Sequence, residues 1–282
     1  MTDSNWTNTH NLPECISKAL KYSDYDKGDA DYSISDLLRP PQATQLIKRH
    51  ADSITRDVSD MLWMFLGSSV HDYIAKTAAN DVLSEERLFF ELSGMKITGK
   101  PDLLEPDGTL TDFKVTSVYA FLLGDKPEWE QQLNCYAYAY GRMGFEVKKL
   151  QIVAILRDHM VSKARTDHEY PQCPVHVVTV PLWDKHKQFE FLQERICIHE
   201  MASFKIDEHL PECTSAERWE KPDSWACKKK QNKQATKVFY DQPSAFQFAQ
   251  SKGLEIEYRK GEALRCSRYC DAAQVCHQYN KK

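Results

Sequence analysis

The run from Gly99 through Lys100, Pro101 and Asp102 to Asp112, Phe113 and Lys114 limits the fold of this chain more than any other stretch. Pro106-Asp107-Gly108 divides it. Proline pre-sets φ at the first turn position and glycine accepts the left-handed conformation that closes a three-residue loop, so the segment predicts a β-hairpin. With Glu105 opposite Thr109, Asp102 falls opposite Asp112, and directly opposed residues share a face with Cβ atoms about 4.5–5.5 Å apart. Lys114, two residues beyond Asp112, lies on that face, while Phe113 and Val115 point to the other side and a core.

Opposed carboxylates destabilise a sheet by a few tenths of a kcal/mol to about 1 kcal/mol unless a cation lies between them. Hard oxygen ligands of this kind suit Mg²⁺ or Mn²⁺, and the nearby lysine would hold or deprotonate an attacking water. An Asp-x-Lys pair alone is equally at home on a solvated sheet face. The flanking segments therefore matter.

From Ser59 to Ala79, Met61, Leu62, Phe65, Leu66, Val70, Tyr73 and Ile74 recur at helical spacing and predict an amphipathic helix, on whose apolar face His71 sits beside the space left by Gly67. Three antiparallel strands are expected between about 87 and 116, with Glu86 and Glu91 as candidate extra metal ligands or as strand-end residues facing water. A second helix starts at Pro127, with Glu128 and Glu130 at the positive end of its dipole, and makes Gln132 and Tyr136 neighbours. Leu150–Leu156 and Val175–Val180 read as strands, followed by a helix from about Trp183 to Ser203. The order α-β-β-β-α-β-β-α predicts an α/β (α+β) fold, a mixed central sheet flanked by helices.

The ends differ in character. Residues 1–32 are polar without a sustained period and are expected to form a flexible N-terminal arm; residues 33–205 would form the core and 206–282 a basic, cysteine-rich C-terminal lobe. Ser33 to Asp36 offers caps for a short helix, broken at Arg39-Pro40-Pro41 before a second helix carrying Lys48, Arg49 and His50, one wall of a substrate channel. Residues 221–282 hold 13 Lys and Arg against 6 Asp and Glu, a charge of +7, so residues 1–220 carry −11 of the total of −4. Lys228, Lys229, Lys230, Lys233 and Lys237 are placed to meet phosphates or simply to solvate a loop. No apolar run nears the roughly 20 residues of a membrane helix, and the N-terminus lacks signal-peptide regions, so a cytoplasmic protein without membrane partners is expected. In such a compartment nine cysteines point to metal ligands or buried thiols over disulfides. Cys266, Cys270 and Cys276 fall within eleven residues, a spacing that suits zinc or an iron–sulfur cluster.

Pro101-Asp102 with Asp112-Phe113-Lys114 resembles the signature of the PD-(D/E)XK nuclease superfamily. Gly67-Ser68-Ser69-Val70-His71 and Gln132-Leu133-Asn134-Cys135-Tyr136 resemble elements of its RecB-like and phage exonuclease branch, related to the CRISPR-associated exonucleases. The resemblance implies a metal-dependent DNA nuclease acting on single- or double-stranded DNA in a bacterial or phage-infected cell, alongside recombination or replication proteins. His71, Asp102, Asp112 and the Phe113 carbonyl would hold Mg²⁺ or Mn²⁺, Lys114 would activate water, and Gln132 and Tyr136 would orient Lys114 or the strand. It also implies a [4Fe–4S] cluster on Cys266, Cys270 and Cys276. The N-terminal cysteine of the related nucleases is missing here, so Cys213 is the expected fourth ligand, with Cys227, Cys15 or His277 as alternatives and Zn²⁺ as the alternative metal. A non-catalytic DNA-binding factor on the same fold and an RNA nuclease stand as rival readings.

Overall fold

In the computed structural model, which describes residues 5–23, 25–124 and 126–281, the Pro106-Asp107-Gly108 loop closes as its sequence predicts. Gly108 takes φ +87°, the Glu105 N–H donates to the Thr109 carbonyl at 3.0 Å, and Leu103 and Leu104 pair with Thr111 and Leu110. A Cβ on Gly108 would also stand 2.9 Å from the Glu146 carbonyl, so close approach as well as dihedral demands glycine. Extended by one pair, this register sets Asp102 against Asp112.

The described chain divides into two compact units. One comprises Met1–Arg39 and Thr55–Phe204, the other Pro40–Ile54 and Lys205–Lys282. Five strands of the first unit form a mixed sheet: Leu83–Ser84 (β1), Leu103–Leu104 (β4), Thr109–Thr116 (β5), Lys149–Leu156 (β6) and Val175–Val180 (β7), in the order β7-β6-β5-β4-β1. β5 and β6 run parallel, with Lys114 beside Ala154, and the remaining pairs are antiparallel. Leu150, Ile152, Ala154 and Leu156 alternate into the core along β6. Helix Pro127–Arg142 (α4) covers them with Leu133, Tyr136 and Tyr140, and Lys185–Ser203 (α5) adds Leu192 and Ile196 to the same cluster.

The strands between 87 and 116 differ from expectation. Leu88–Leu92 (β2) pairs with an unanticipated strand, Met95–Gly99 (β3), and with the short strand Tyr32–Ser33 these two form a separate sheet. Ser93 and Gly94 have φ +52° and +77°, the two successive positive values of a tight hairpin turn. Pro101, which has no N–H to donate, follows the end of β3, and the chain changes sheet there.

Helix Leu62–Thr77 (α2) forms where the sequence predicts, but it buries no residue; Tyr73 of the expected apolar face is 72% exposed. Residues 1–32 also depart from expectation, outside residues 1–4 and 24, which are not among those described. They contain a strand at Trp6–Thr7 paired with Arg56–Asp57 and a helix over Glu14–Lys21, and they bury Leu20 and Ala30. Ser33 caps the helix Ile34–Leu38 (α1) in a reciprocal capping box with Asp36.

In the second unit, Ser224–Lys228, Lys237–Phe239 and Glu255–Arg259 form an antiparallel sheet against helix Gln242–Lys252, with Cys227, Ala245 and Ala249 at its centre. The helix Pro41–Arg49 belongs to this unit, and two of the basic residues expected to face a substrate channel hold Asp207, Arg49 at 2.7 Å and His50 at 2.6 Å. No helix among the described residues is long and apolar enough to cross a membrane.

Candidate active site

β4, β5, α2 and α4 converge on one group of side chains. Asp112 is fully buried. The Lys114 ammonium approaches its Oδ2 to 2.7 Å, a close ion pair. Burial pushes the Asp112 carboxyl up to about 6, with the like charge of Asp102 adding to the rise and Lys114 opposing it.

Lys114 donates to Gln132 Oε1 at 2.9 Å, and Gln132 Nε2 donates to the Tyr136 hydroxyl at 3.2 Å. This chain fixes both the amide orientation and the ammonium. Tyr136 is buried, and burial pushes its phenol well above the ordinary value. It therefore stays neutral and takes part as a hydroxyl. One turn of helix spaces Gln132 and Tyr136 so that both face β5.

His71 bridges the remaining groups. Nε2 lies 2.9 Å from the Phe113 carbonyl, to which it can only donate, while Nδ1 faces Asp102 Oδ1 at 3.2 Å and Glu85 Oε1 at 3.6 Å. Burial disfavours the imidazolium, but the hydrogen bonds of Asp102 and Glu85 outweigh it and raise the pKa to about 10. Asp102 Oδ2 accepts the Phe113 N–H at 2.7 Å, which ties the first acid to the strand of the second.

Glu85 is the residue that sequence reasoning missed. Its backbone has φ +56°, strained for a non-glycine residue, and its N–H donates to the Asp102 carbonyl at 2.9 Å. Lys100 holds its carboxylate at 2.5 Å. Burial would raise its pKa, but His71 and Lys100 together bring it below the ordinary value. Neighbouring Glu86 and Glu91, considered in its place, are exposed. Among the described residues, His71, Glu85 and Asp102 form the one group of three or more His, Cys, Asp or Glu ligand atoms lying within 4.8 Å of one another.

The donor set fits a hard divalent cation. Ligands in adjacent positions of an octahedron with bonds of about 2.1 Å stand about 3 Å apart, which matches the 2.9 Å between His71 Nε2 and the Phe113 carbonyl. Carboxylate oxygens of Asp102 and Glu85 lie on the Nδ1 side. His71 must lose one proton before either nitrogen can ligate.

In the second unit, burial pushes the Cys213 thiol up to about 12, and Glu217, Cys276, Cys270 and Cys266 raise it further by like charge. Cys213 and Cys276 both point at Oε1 of buried Gln42, at 3.4 and 3.6 Å. No three of the described sulfurs lie within 4.8 Å of one another. Cys227 stands apart, buried in the small sheet core with its thiol against the Ala245 carbonyl. Cys15 is exposed on the helix Glu14–Lys21, and His277 faces Glu208 at 3.9 Å.

A scan against models of protein families and a search of curated proteins each gave no match. Solved structures similar to this chain include SSO0001, at 17% identity and a TM-score of 0.41 over 66% of this chain and 84% of that one. An alkaline exonuclease, LHK-Exo, from Laribacter hongkongensis matches at 11% identity and a TM-score of 0.39 over 60% and 85%. A phage-related exonuclease from Haemophilus somnus 129PT matches at 14% and 0.28 over 66% and 80%. In its own mixed sheet, in the register of its central hairpin and in the placing of Asp102, Asp112, Lys114, Gln132 and Tyr136, the chain resembles the PD-(D/E)XK nuclease superfamily.

Proposed function

We propose that the chain is a metal-dependent nuclease that hydrolyses phosphodiester bonds in DNA, acting as an exonuclease. The observation that carries this reading is the juxtaposition of two buried carboxylates, Asp102 and Asp112, with an ammonium held at 2.7 Å from the second. His71, Asp102, Asp112 and the Phe113 carbonyl would hold one or two Mg²⁺ or Mn²⁺ ions; His71 serves an ion through one ring nitrogen, and Glu85 would join Asp102 as a ligand where that nitrogen is Nδ1. When bound, the ion supplies charge neutralisation for the phosphate and polarisation of water. Lys114, fixed by Gln132 and in turn by Tyr136, positions the water that attacks phosphorus. The P–O bond to the leaving nucleotide breaks as the water's oxygen bonds to phosphorus; the water gives one proton to solvent and the departing oxygen takes one up from solvent, so the net reaction adds one water across the bond.

For the second unit we infer a cluster on Cys213, Cys266, Cys270 and Cys276. Four thiolates suit such a cluster, with Zn²⁺ as the alternative metal.

The test is cleavage of end-labelled linear and covalently closed circular DNA, single- and double-stranded, and of RNA, with Mg²⁺, Mn²⁺ or EDTA. Wild type should degrade linear DNA only, and only with metal. Asp112→Asn and Lys114→Ala should reduce the rate by about 10²–10⁴ or more while the fold stays intact. Wild-type activity in either variant would refute the site. DNA binding without cleavage would support a binding factor, and degradation of RNA an RNA nuclease.

A further inference from the structure

The helix that delivers His71 leaves its first turns uncovered. Leu62, Trp63, Met64 and Phe65 are all exposed, Trp63 by 53%. α2 runs antiparallel to β5. His71 is level with Phe113, and Trp63, eight residues earlier and so about 12 Å along the helix, lies beyond the end of that strand. There the indole meets Arg157, whose guanidinium carbon is 4.2 Å from the ring centroid.

Arg157 follows β6, and its N–H donates to the carbonyl of Thr116, the last residue of β5, at 2.9 Å. The pair therefore stands just past the carboxyl ends of two parallel strands, two residues on from Lys114, in the position where open sheets commonly receive ligands. No carboxylate pairs with the Arg157 side chain among the described residues. Neighbouring Asp158 is engaged by the Val118 N–H at 2.7 Å. A guanidinium without a carboxylate partner among the described residues, laid on an exposed indole, offers a cation for a phosphate and a π face for a base, the two features that hold single-stranded nucleic acid.

We propose that Trp63 and Arg157 form a binding platform for single-stranded DNA beside the acidic site, a base stacking on Trp63 and the adjoining phosphate meeting Arg157. This rests on the nuclease reading and adds to it a preference for an unpaired strand. Stacking tolerates every base, so the platform grips without reading sequence. A duplex keeps its bases stacked on each other and leaves none for Trp63.

Binding is measured by fluorescence anisotropy with full-length Lys114→Ala protein, which retains the platform but does not cleave. The probes are oligo-dT, an abasic oligomer of the same length, and a blunt duplex. Adding Trp63→Ala should weaken oligo-dT binding about ten-fold, leave the abasic oligomer and melting unchanged, and be reversed by Trp63→Phe. Arg157→Gln should weaken oligo-dT and abasic oligomer alike and reduce the salt slope by about 0.7. Equal loss on both oligomers with Trp63→Ala, or no loss on either, overturns the platform while cleavage by wild type keeps the nuclease reading. Light scattering showing a dimer that Trp63→Ala dissociates, with oligo-dT affinity unchanged, assigns the face to a second copy and likewise overturns it. Failure of the parent to bind any probe, with no cleavage by wild type, removes both.

Discussion

His199 has neither solvent nor an acceptor for a second proton. It is fully buried on α5; its Nε2–H donates to the carbonyls of Leu37 and Arg39 at 3.1 and 3.2 Å, and its Nδ1 has no hydrogen-bond partner. Burial, and then the charge of Arg195, lower its pKa from 6.5 to about 4. Between these values the unfolded chain binds a proton that the folded chain refuses, so this group's contribution to stability is complete above about pH 6.5 and declines as pH falls toward 4. The loss should reach on the order of 3 kcal/mol. Urea unfolding at about pH 7 and about pH 4.5 should show it in wild type and not in His199→Gln, which keeps a donor and has no ionisation. An identical pH dependence in both proteins would contradict the assignment. Other residues differ in how far sequence could reveal them. Asp102, Asp112 and Lys114 were legible because a turn and a two-residue period place them. Glu85 was not, because its role depends on a left-handed backbone and on Lys100 and His71, neither adjacent in sequence.

At the scale of elements, β3 and α4 meet with no space to spare. A Cβ on Gly99 would stand 2.7 Å from Ile34 Cδ1 and 2.8 Å from Tyr136 Cε1, and both side chains are buried. Gly99→Ala should therefore destabilise the fold by about 1–3 kcal/mol. Because Tyr136 orients Gln132 and Gln132 orients Lys114, it should also lower the cleavage rate under conditions where the variant is still folded. Chemical denaturation and rate measurement on the same preparation separate the two effects; unchanged stability would mean that Ile34 or Tyr136 yields freely. Long periodic elements were legible here, as α2, α4, β6 and α5 show. β3 was not, since its hairpin depends on a serine adopting positive φ beside Gly94. The unburied face of α2 also ran against its pattern, because spacing gives a face and not what covers it.

Over the whole molecule, chemistry is partitioned between the two units. The acids, His71 and Lys114 lie in the first, whose core is extensive; the clustered thiols and the net positive charge lie in the second. A cluster bound at Cys213 and Cys276 would contribute folding energy directly. Anaerobically purified protein should carry iron and acid-labile sulfide with the visible absorption of an iron–sulfur centre. Cys213→Ser should lose much of that absorption and melt at a lower temperature, whereas Cys227→Ser should keep it. Zinc in place of iron would reverse the choice of metal, and metal-free protein with ordinary melting would dismiss the centre. Of the basic residues expected to meet phosphate, Lys228 is engaged by Glu257, and Lys229, Lys230 and Lys233 remain exposed.

By itself the sequence determined whatever follows from local rules. Turn chemistry set the hairpin register, a period of two put Asp112 and Lys114 on one face, and a helical turn made Gln132 and Tyr136 neighbours. The clustered cysteines marked the metal-binding candidate in the same way. Only the tertiary structure decided which distant groups complete each site: Glu85 beside His71, Gln42 between two thiols, Arg157 upon Trp63, and Pro40–Ile54 in the second unit. Such contacts arise from packing among segments far apart along the chain, where no local period or propensity acts, and burial then sets the charge of the groups they enclose.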